Sequence, residues 1–462
     1  MQKTRNPWLI VGVFMYCAAI SAFNETILNV AYRAIAEDLN ITVGTAQWLT
    51  TGFMLVTSVM VPVSAFLFLS IPTRRLFILS LGVICVGTVG CLVAPNFITL
   101  LIFRMVVSAG NGMIVPMMMN VTLMVAPKEH LGVAMAMCAS AITMGPAFAP
   151  VVSGLMLQFF QWRAIFALML ILALIGLIVG VFVVEDSAEL THPKLDILSV
   201  ILSTAGLALF LYGINILFDS LGKSLVFIVI GVVILAWFVI RQSQLEEPLL
   251  NFSPFRIPVF TAGIVLVCFA MLVNFSMSVL TPTFLQGTLG VSDLLSGALL
   301  IPAVLLNVIS TSYSGRILDK HGVRVMIPTA FVVTAIGLFL MSHNAMHLTI
   351  LTFVLIYIFL YQGLAFSMSP SQTTTLAILP KELHAHGVSI VNTMIQISAS
   401  LGSALFGGIL STVQTGELAA GATEAVAIGH GYMQALTVAI PISLAGFVVS
   451  FVAFRKVKTV KA

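Results

Sequence analysis

Glu25 sits in the apolar run from Trp8 to Tyr32, with Asn24 before it and Asn29 one turn on. Among the 16 Asp and Glu residues it is the one that falls well inside a candidate membrane span. An ionisable group in hydrocarbon is costly and is a functional candidate by default. Apolar surroundings penalise the charged form of an acid, so a carboxyl here can exchange a proton near neutral pH. Helical spacing puts Ser21 and Asn29 on the same face, one turn to either side. The chemistry open to this group is proton carriage, binding of a cationic substrate, or both. The plainer alternative is a carboxylate in a wet vestibule, held by its asparagines.

Four further groups of residues have types and spacings that can act. Arg104 lies in "FRMVVSAGNG" and either organises backbone carbonyls and tunes the proton site or snorkels to the membrane surface. "TMGPAFAPVVSG" sets Gly145, Pro146, Pro150 and Gly154 in one helix. Proline removes a backbone hydrogen bond, and small residues admit a neighbouring helix, which suits a moving interface as well as an ordinary kinked helix. "SGRILDKHGVRV" carries Gly315, Asp319, Gly322 and Arg324 in a loop. Its acid can latch onto amides or arginines, unless the loop is a solvated charged turn. Polar residues inside spans can line a cavity: Asn24, Asn29, Gln47, Thr51, Asn111, Asn120, Asn274, Asn307, Gln362, Asn392 and Gln396. Met117, Phe148 and Tyr361 can give that cavity a soft apolar wall, although such side chains in spans are commonly plain packing. "HAHG" at His384 has no further clustered ligands, so no metal is expected. Nor does the chain hold a phosphate loop, HExxH or GxSxG, so no cofactor, ATP coupling or enzymatic activity is expected.

These residues need elements that hold them in lipid. The chain of 462 residues is 60% hydrophobic and 8% charged, against roughly 25% charged in soluble domains. Its mean hydropathy is +1.14. Helices of about 20 apolar residues span a bilayer. Fourteen stretches qualify, roughly 8–30, 44–68, 76–94, 98–124, 131–157, 164–184, 197–217, 224–240, 260–284, 294–313, 326–342, 348–370, 386–411 and 433–454. Lys and Arg gather on the cytoplasmic side of membranes. Sixteen of the 20 basic residues fall on one side, leaving Arg33, Arg163 and Lys223 on the other and Arg104 within a span. Both termini are therefore expected to be cytoplasmic. The five cysteines fall in apolar runs and imply no disulfides, and the scattered basic residues suggest no nucleic-acid partner.

The chain repeats itself. "VAPKEHLGVAMA" from Val125 and "ILPKELHAHGVSIV" from Ile378 share Pro-Lys-Glu followed by Gly-Val and a small-residue helix. Eight spans separate the copies, so they share one topology. Parallel repeats build transporters from two similar halves with a substrate site between them. The expected organisation is a six-helix bundle at 1–190, two linker spans at 191–250 and a second bundle at 251–462.

On these residues the chain resembles the major facilitator superfamily, in its fourteen-span drug:H+ antiporter branch. "NETILNVA" at Asn24, "RMVVSAGNG" at Arg104, "GPAFAPVVSG" at Gly145 with "WRAIF" at Trp162, and "GRILDKHGVR" at Gly315 resemble motifs of that branch. The resemblance implies an all-α membrane fold of two pseudo-symmetric bundles plus two central helices. It implies a monomer in the bacterial plasma membrane that exchanges protons for amphipathic, drug-like compounds, with Arg104 linked to proton coupling. An exporter of one endogenous amino acid, peptide or lipid is the alternative, and a non-transporting sensor a weaker one. The sequence departs from the pattern in three places. Leu69 stands where the first inner loop usually carries Asp, Asn24 stands at the usual acidic position with Glu25 one step later, and Val107 replaces a glutamine.

Overall fold

The computed structural model describes residues 7–455 apart from 42, 128, 129, 187–189, 191–195, 219, 246 and 247. Among the described residues the secondary structure is helical, with no strand. The reason is the solvent: in hydrocarbon a helix satisfies its backbone polar groups within one segment. Twelve helices are long and apolar enough to cross a membrane, or 13 if the bent third helix counts as one span.

Two compact units divide the chain: Met1–Ala208 with Val233–Phe252 and Pro380–Thr393, and Leu209–Val232 with Ser253–Leu379 and Met394–Ala462. The first holds α1 (Pro7–Thr26), α2 (Tyr32–Asp38), α3 (Val43–Ser70), α4 (Thr73–Leu92), α5 (Phe97–Val125), α6 (Leu131–Phe159) and α7 (Arg163–Val183). Next come α8 (Ile197–Asn215) and α9 (Leu221–Gln244), each shared between the units. The second unit continues with α10 (Pro258–Gly287), α11 (Asp293–His321), α12 (Val323–Asn344), α13 (Ile350–Ala377), α14 (His384–Ala419) and α15 (Glu424–Phe454). The first residues of α14 count with the first unit.

Packing inside each unit follows one plan. In the first, α5 packs on α1, α3 and α4, while α7 packs on α1 and α4. In the second, α13 packs on α10, α11 and α12, while α15 packs on α10 and α12. The internal repeat read from the two Pro-Lys-Glu segments thus has a counterpart in helix packing.

Local signals set the helix ends. The Asn96 side chain caps α5 by accepting from the Thr99 amide at 2.9 Å. Thr349 and Thr352 form a capping box at α13. Gly322 divides α11 from α12 at φ +76°, a left-handed conformation that favours glycine. Helix α3 bends by 48° between Trp48–Val61 and Val63–Ser70, on either side of Pro62. Leu225, Val229, Val233 and Trp237 of α9 are exposed, as on a helix that faces lipid. All five cysteines are free.

A polar network fastens α8 to α9. Arg241 donates to both Asp196 carboxylate oxygens, at 2.6 and 3.0 Å. Ser199 Oγ donates to Asp196 at 2.5 Å, Gln242 donates to Ser199 at 2.5 Å, and the Leu250 amide donates to Gln242 at 3.1 Å. Arg241 above all holds the Asp196 carboxyl down at about 2, against an ordinary 3.8. A carboxyl depressed in the folded state contributes stability above its ordinary value and loses it as pH falls through the folded one. Asp196→Asn is therefore expected to cost about 1 kcal/mol at neutral pH, because the pair is partly exposed. In thermal melts the gap between wild type and variant should close as pH falls from about 4 towards 2. A gap that stays constant across this range would rule out the ion pair as its source.

Candidate functional site

The α1 sequence carries Glu25 to the end of its helix. Helix α1 stops at Thr26, and Ile27–Val30 tighten into a 3-10 turn. The expectation that Asn29 shares an α-helical face with Glu25 is therefore corrected, because the α-helical period ends between them. Asn29 is exposed, and its side-chain oxygen accepts from the Tyr32 hydroxyl at 2.8 Å. Tyr32 also donates to Thr50 of α3 at 2.5 Å, and Thr50 to Asn29 at 3.3 Å. These bonds hold the tight turn against α3.

Glu25 is 8% exposed, and its Oε1 has no hydrogen-bond partner. Arg104 of α5 is fully buried. Its guanidinium donates one nitrogen to the Asn24 side-chain oxygen and the other to the Asn24 carbonyl. It lies over the Phe53 ring of α3, 4.1 Å from the centroid. Ser108, one turn along α5, bonds to the Phe53 carbonyl and to Thr57 Oγ1 at 2.7 Å, which fixes α3 beneath the arginine. Among the described residues no carboxylate stands within ion-pair distance of Arg104. Asn111 donates to the Ser21 carbonyl at 3.2 Å, so a second asparagine ties α5 to α1. The site therefore presents a buried cation supported by neutral groups and a buried, unpaired carboxyl one residue away.

Helix α6 reaches this place through glycine. A Cβ on Gly145 would stand 2.7 Å from the Ala22 carbonyl carbon, 2.8 Å from the Ala19 oxygen and against the Phe23 nitrogen. The two helices thus meet backbone to backbone, one turn before Glu25. Gly154 differs, because a Cβ there meets nothing within 4 Å. Phe148 of α6 is half-buried. The side chains of Gln47, Thr51, Pro146, Pro150 and Asp319 lie outside the described residues, as do Lys128 and Glu129 of the first repeat.

Other candidates form two separate groups. In the first unit Met117 and Asn120 are buried on α5, and Asn120 Oδ1 has no partner. Asn392 of the same unit donates to the Val388 carbonyl at 2.8 Å and to Met119 Sδ at 3.3 Å. In the second unit Asn307 donates to the Tyr361 carbonyl at 2.6 Å, Ser310 donates to Gln362 Oε1, and Gln362 Nε2 has no partner. Asn274 and Gln396 are half-buried there. The loop expected around Gly315–Arg324 is corrected: α11 runs to His321 and α12 starts at Val323, so only Gly322 lies between helices, Gly315 is buried within α11, and Arg324 is exposed at the start of α12.

Leu69, where the acid is lacking, is half-buried. Across the short turn that follows, Arg74 at the start of α4 turns to its own unit, its amide donating to Asp186 at 3.0 Å and its guanidinium to the Val181 carbonyl at 2.8 Å. The "WRAIF" segment has a definite partner too: Trp162 and Arg163 donate to Asp38 at 3.0 and 2.7 Å. Arg163 first and Trp162 second hold the Asp38 carboxyl below its ordinary range.

The sequence reading missed Phe53, Tyr32 and Ser108. Ser108 had a signal, its place one turn after Arg104. Phe53 had none, because an aromatic residue in an apolar helix looks the same whether or not a cation lies on it.

Comparison with known proteins agrees with this architecture. The sequence profile of the Major Facilitator Superfamily matches residues 14–403. The lincomycin resistance protein LmrB of Listeria monocytogenes is 33% identical over 420 residues, covering 89% of this chain and 88% of that protein. LmrB of Bacillus subtilis is 34% identical over 400 residues, covering 86% and 84%. In fold, the human organic anion transporter MFSD10 (TETRAN) superposes with TM-score 0.69 over 97% of this chain and 100% of that one, at 11% identity. This membrane protein of many apolar helices belongs to the major facilitator superfamily.

Proposed function

We propose that the chain is a proton-coupled antiporter that exports amphipathic, often cationic, drug-like compounds across the bacterial plasma membrane. The observation that carries the reading is the buried Glu25 carboxyl, whose Oε1 has no partner, one residue from the clamp on Arg104. A carboxyl so placed binds and releases a proton as its access to water alternates, without an ion pair to break. Arg104 supplies a fixed positive charge nearby, held on Asn24. Proton binding and cationic substrate then compete, and proton entry drives release outward. The resistance proteins among its relatives support a drug-like substrate. Fourteen spans with cytoplasmic termini complete the reading. The 29-residue helix α6 and the bent α3 support that count.

Protein reconstituted in vesicles tests it. With a pH difference imposed, the wild type is expected to move lincomycin and an unrelated cationic dye such as ethidium. Glu25→Gln is expected to lose about tenfold or more of that pH-driven flux, as general acid–base groups typically contribute at least this much. Undiminished flux in the variant, or in wild type after the pH difference is collapsed, would remove Glu25 from the mechanism.

A further inference from the structure

We propose that Asn24 is a positioning residue that keeps the two charges of the first unit apart: it occupies the fork of Arg104, holds the guanidinium away from Glu25, and leaves Glu25 a single unpaired proton site. This rests on the proton-coupled reading above and adds the residue that sets where the proton site works.

The geometry behind it is the end of α1. Consecutive helical residues point about 100° apart, so side chains 24 and 25 cannot both serve one partner on α5. Asn24 lies within the last four residues of α1, whose carbonyls have no partner inside their own helix. Arg104 takes the Asn24 carbonyl with one nitrogen and the Asn24 side chain with the other. A helix C-terminus also favours a cation through its dipole. The ring of Phe53 closes the lower face of the guanidinium. Every group that holds Arg104 is therefore neutral.

Among the described residues Glu25 has few other titratable companions. Of the elements packed on this end of α1, α3 brings no titratable group, α5 brings Arg104, and α6 brings Cys138. Helix α7 brings Arg163, which is engaged with Asp38. Helix α2 brings Tyr32, Glu37 and Asp38, the side chain of Arg33 lying outside the described residues, and α1 itself brings Tyr16 and Cys17. The occupant of position 24 thus decides how much of the charge of Arg104 reaches Glu25.

Two substitutions move the balance in opposite directions. Asn24→Asp keeps the side-chain shape and places a carboxylate on the arginine fork. The arginine is then neutralised, a like charge adjoins Glu25, and Glu25 holds its proton to higher pH. Asn24→Ala frees one nitrogen of the fork to turn to Glu25, which then keeps its charge to lower pH. The readout is difference infrared spectroscopy of the full chain in lipid nanodiscs. It follows the carboxylic C=O band that Glu25→Gln abolishes. The band midpoint should rise by about one pH unit in Asn24→Asp and fall in Asn24→Ala, and the pH midpoint of transport should follow. Thermal stability that drops in either variant while the band midpoint stays put would overturn the proposal, since a merely structural asparagine behaves that way. Because the band is read without transport, a protein whose transport ignores the pH gradient would sink the antiport reading and still test this one.

Discussion

Gly145→Ala lowers the thermal stability of the protein and cuts transport about tenfold or more, whereas Gly154→Ala leaves both near wild type. The two glycines stand in one motif, and their surroundings differ. At Gly145 the added carbon meets main-chain atoms of Ala19, Ala22 and Phe23, and main chain cannot rotate aside as a flexible side chain does. Forced overpacking costs typically 1–3 kcal/mol, and a backbone neighbour places this case near the upper end, about 3 kcal/mol. For a domain of this size that is roughly 5–10 °C in Tm. At Gly154 the space is open. Differential scanning fluorimetry and vesicle flux on both variants check the contrast. Equal effects at the two positions would mean that the motif acts through proline or composition, and that the α1–α6 contact is incidental.

Arg104→Lys is the second large effect, and its conservative look is misleading. Arginine presents a rigid planar fork that reaches the Asn24 side chain and carbonyl together while lying flat on Phe53. The compact lysine ammonium serves one of those acceptors and loses the stacking. Hydrogen bonds from a charged donor contribute about 1.5–3 kcal/mol each, so the loss is about 2–3 kcal/mol with one bond gone. Lysine also sheds its proton when buried, which arginine does not. Transport by the variant is expected to fall by more than tenfold, with a pH dependence the wild type lacks at alkaline pH. Wild-type flux in Arg104→Lys would show that a point charge suffices and that the fork is ornamental.

The same residues mark how far the sequence alone reaches. The helical membrane fold and the family were legible because they rest on sums over many residues: apolar runs of sufficient length and four separate motifs. The prominence of Glu25 and Arg104 was legible because charge in hydrocarbon is rare. Their relation was not. An ideal helical period through Asn29 assumed that α1 continues, and the 3-10 turn at Ile27–Val30 removes that assumption. Which of Asn24 and Glu25 meets Arg104 depends on a rotation of one residue, and composition carries no record of it. Phe53 was hidden for the same reason, because only the approach of another helix gives it a cation to hold.

The contact at Gly145 has a mechanical corollary. Where side chains interdigitate, a helix can slide a little while rotamers readjust, and the motion is damped. Between Gly145 and the Ala19–Phe23 main chain there is nothing to readjust. A displacement of α6 at that point is handed to the last turn of α1 undamped, as by a lever resting directly on its load, and that turn carries Asn24 and Glu25.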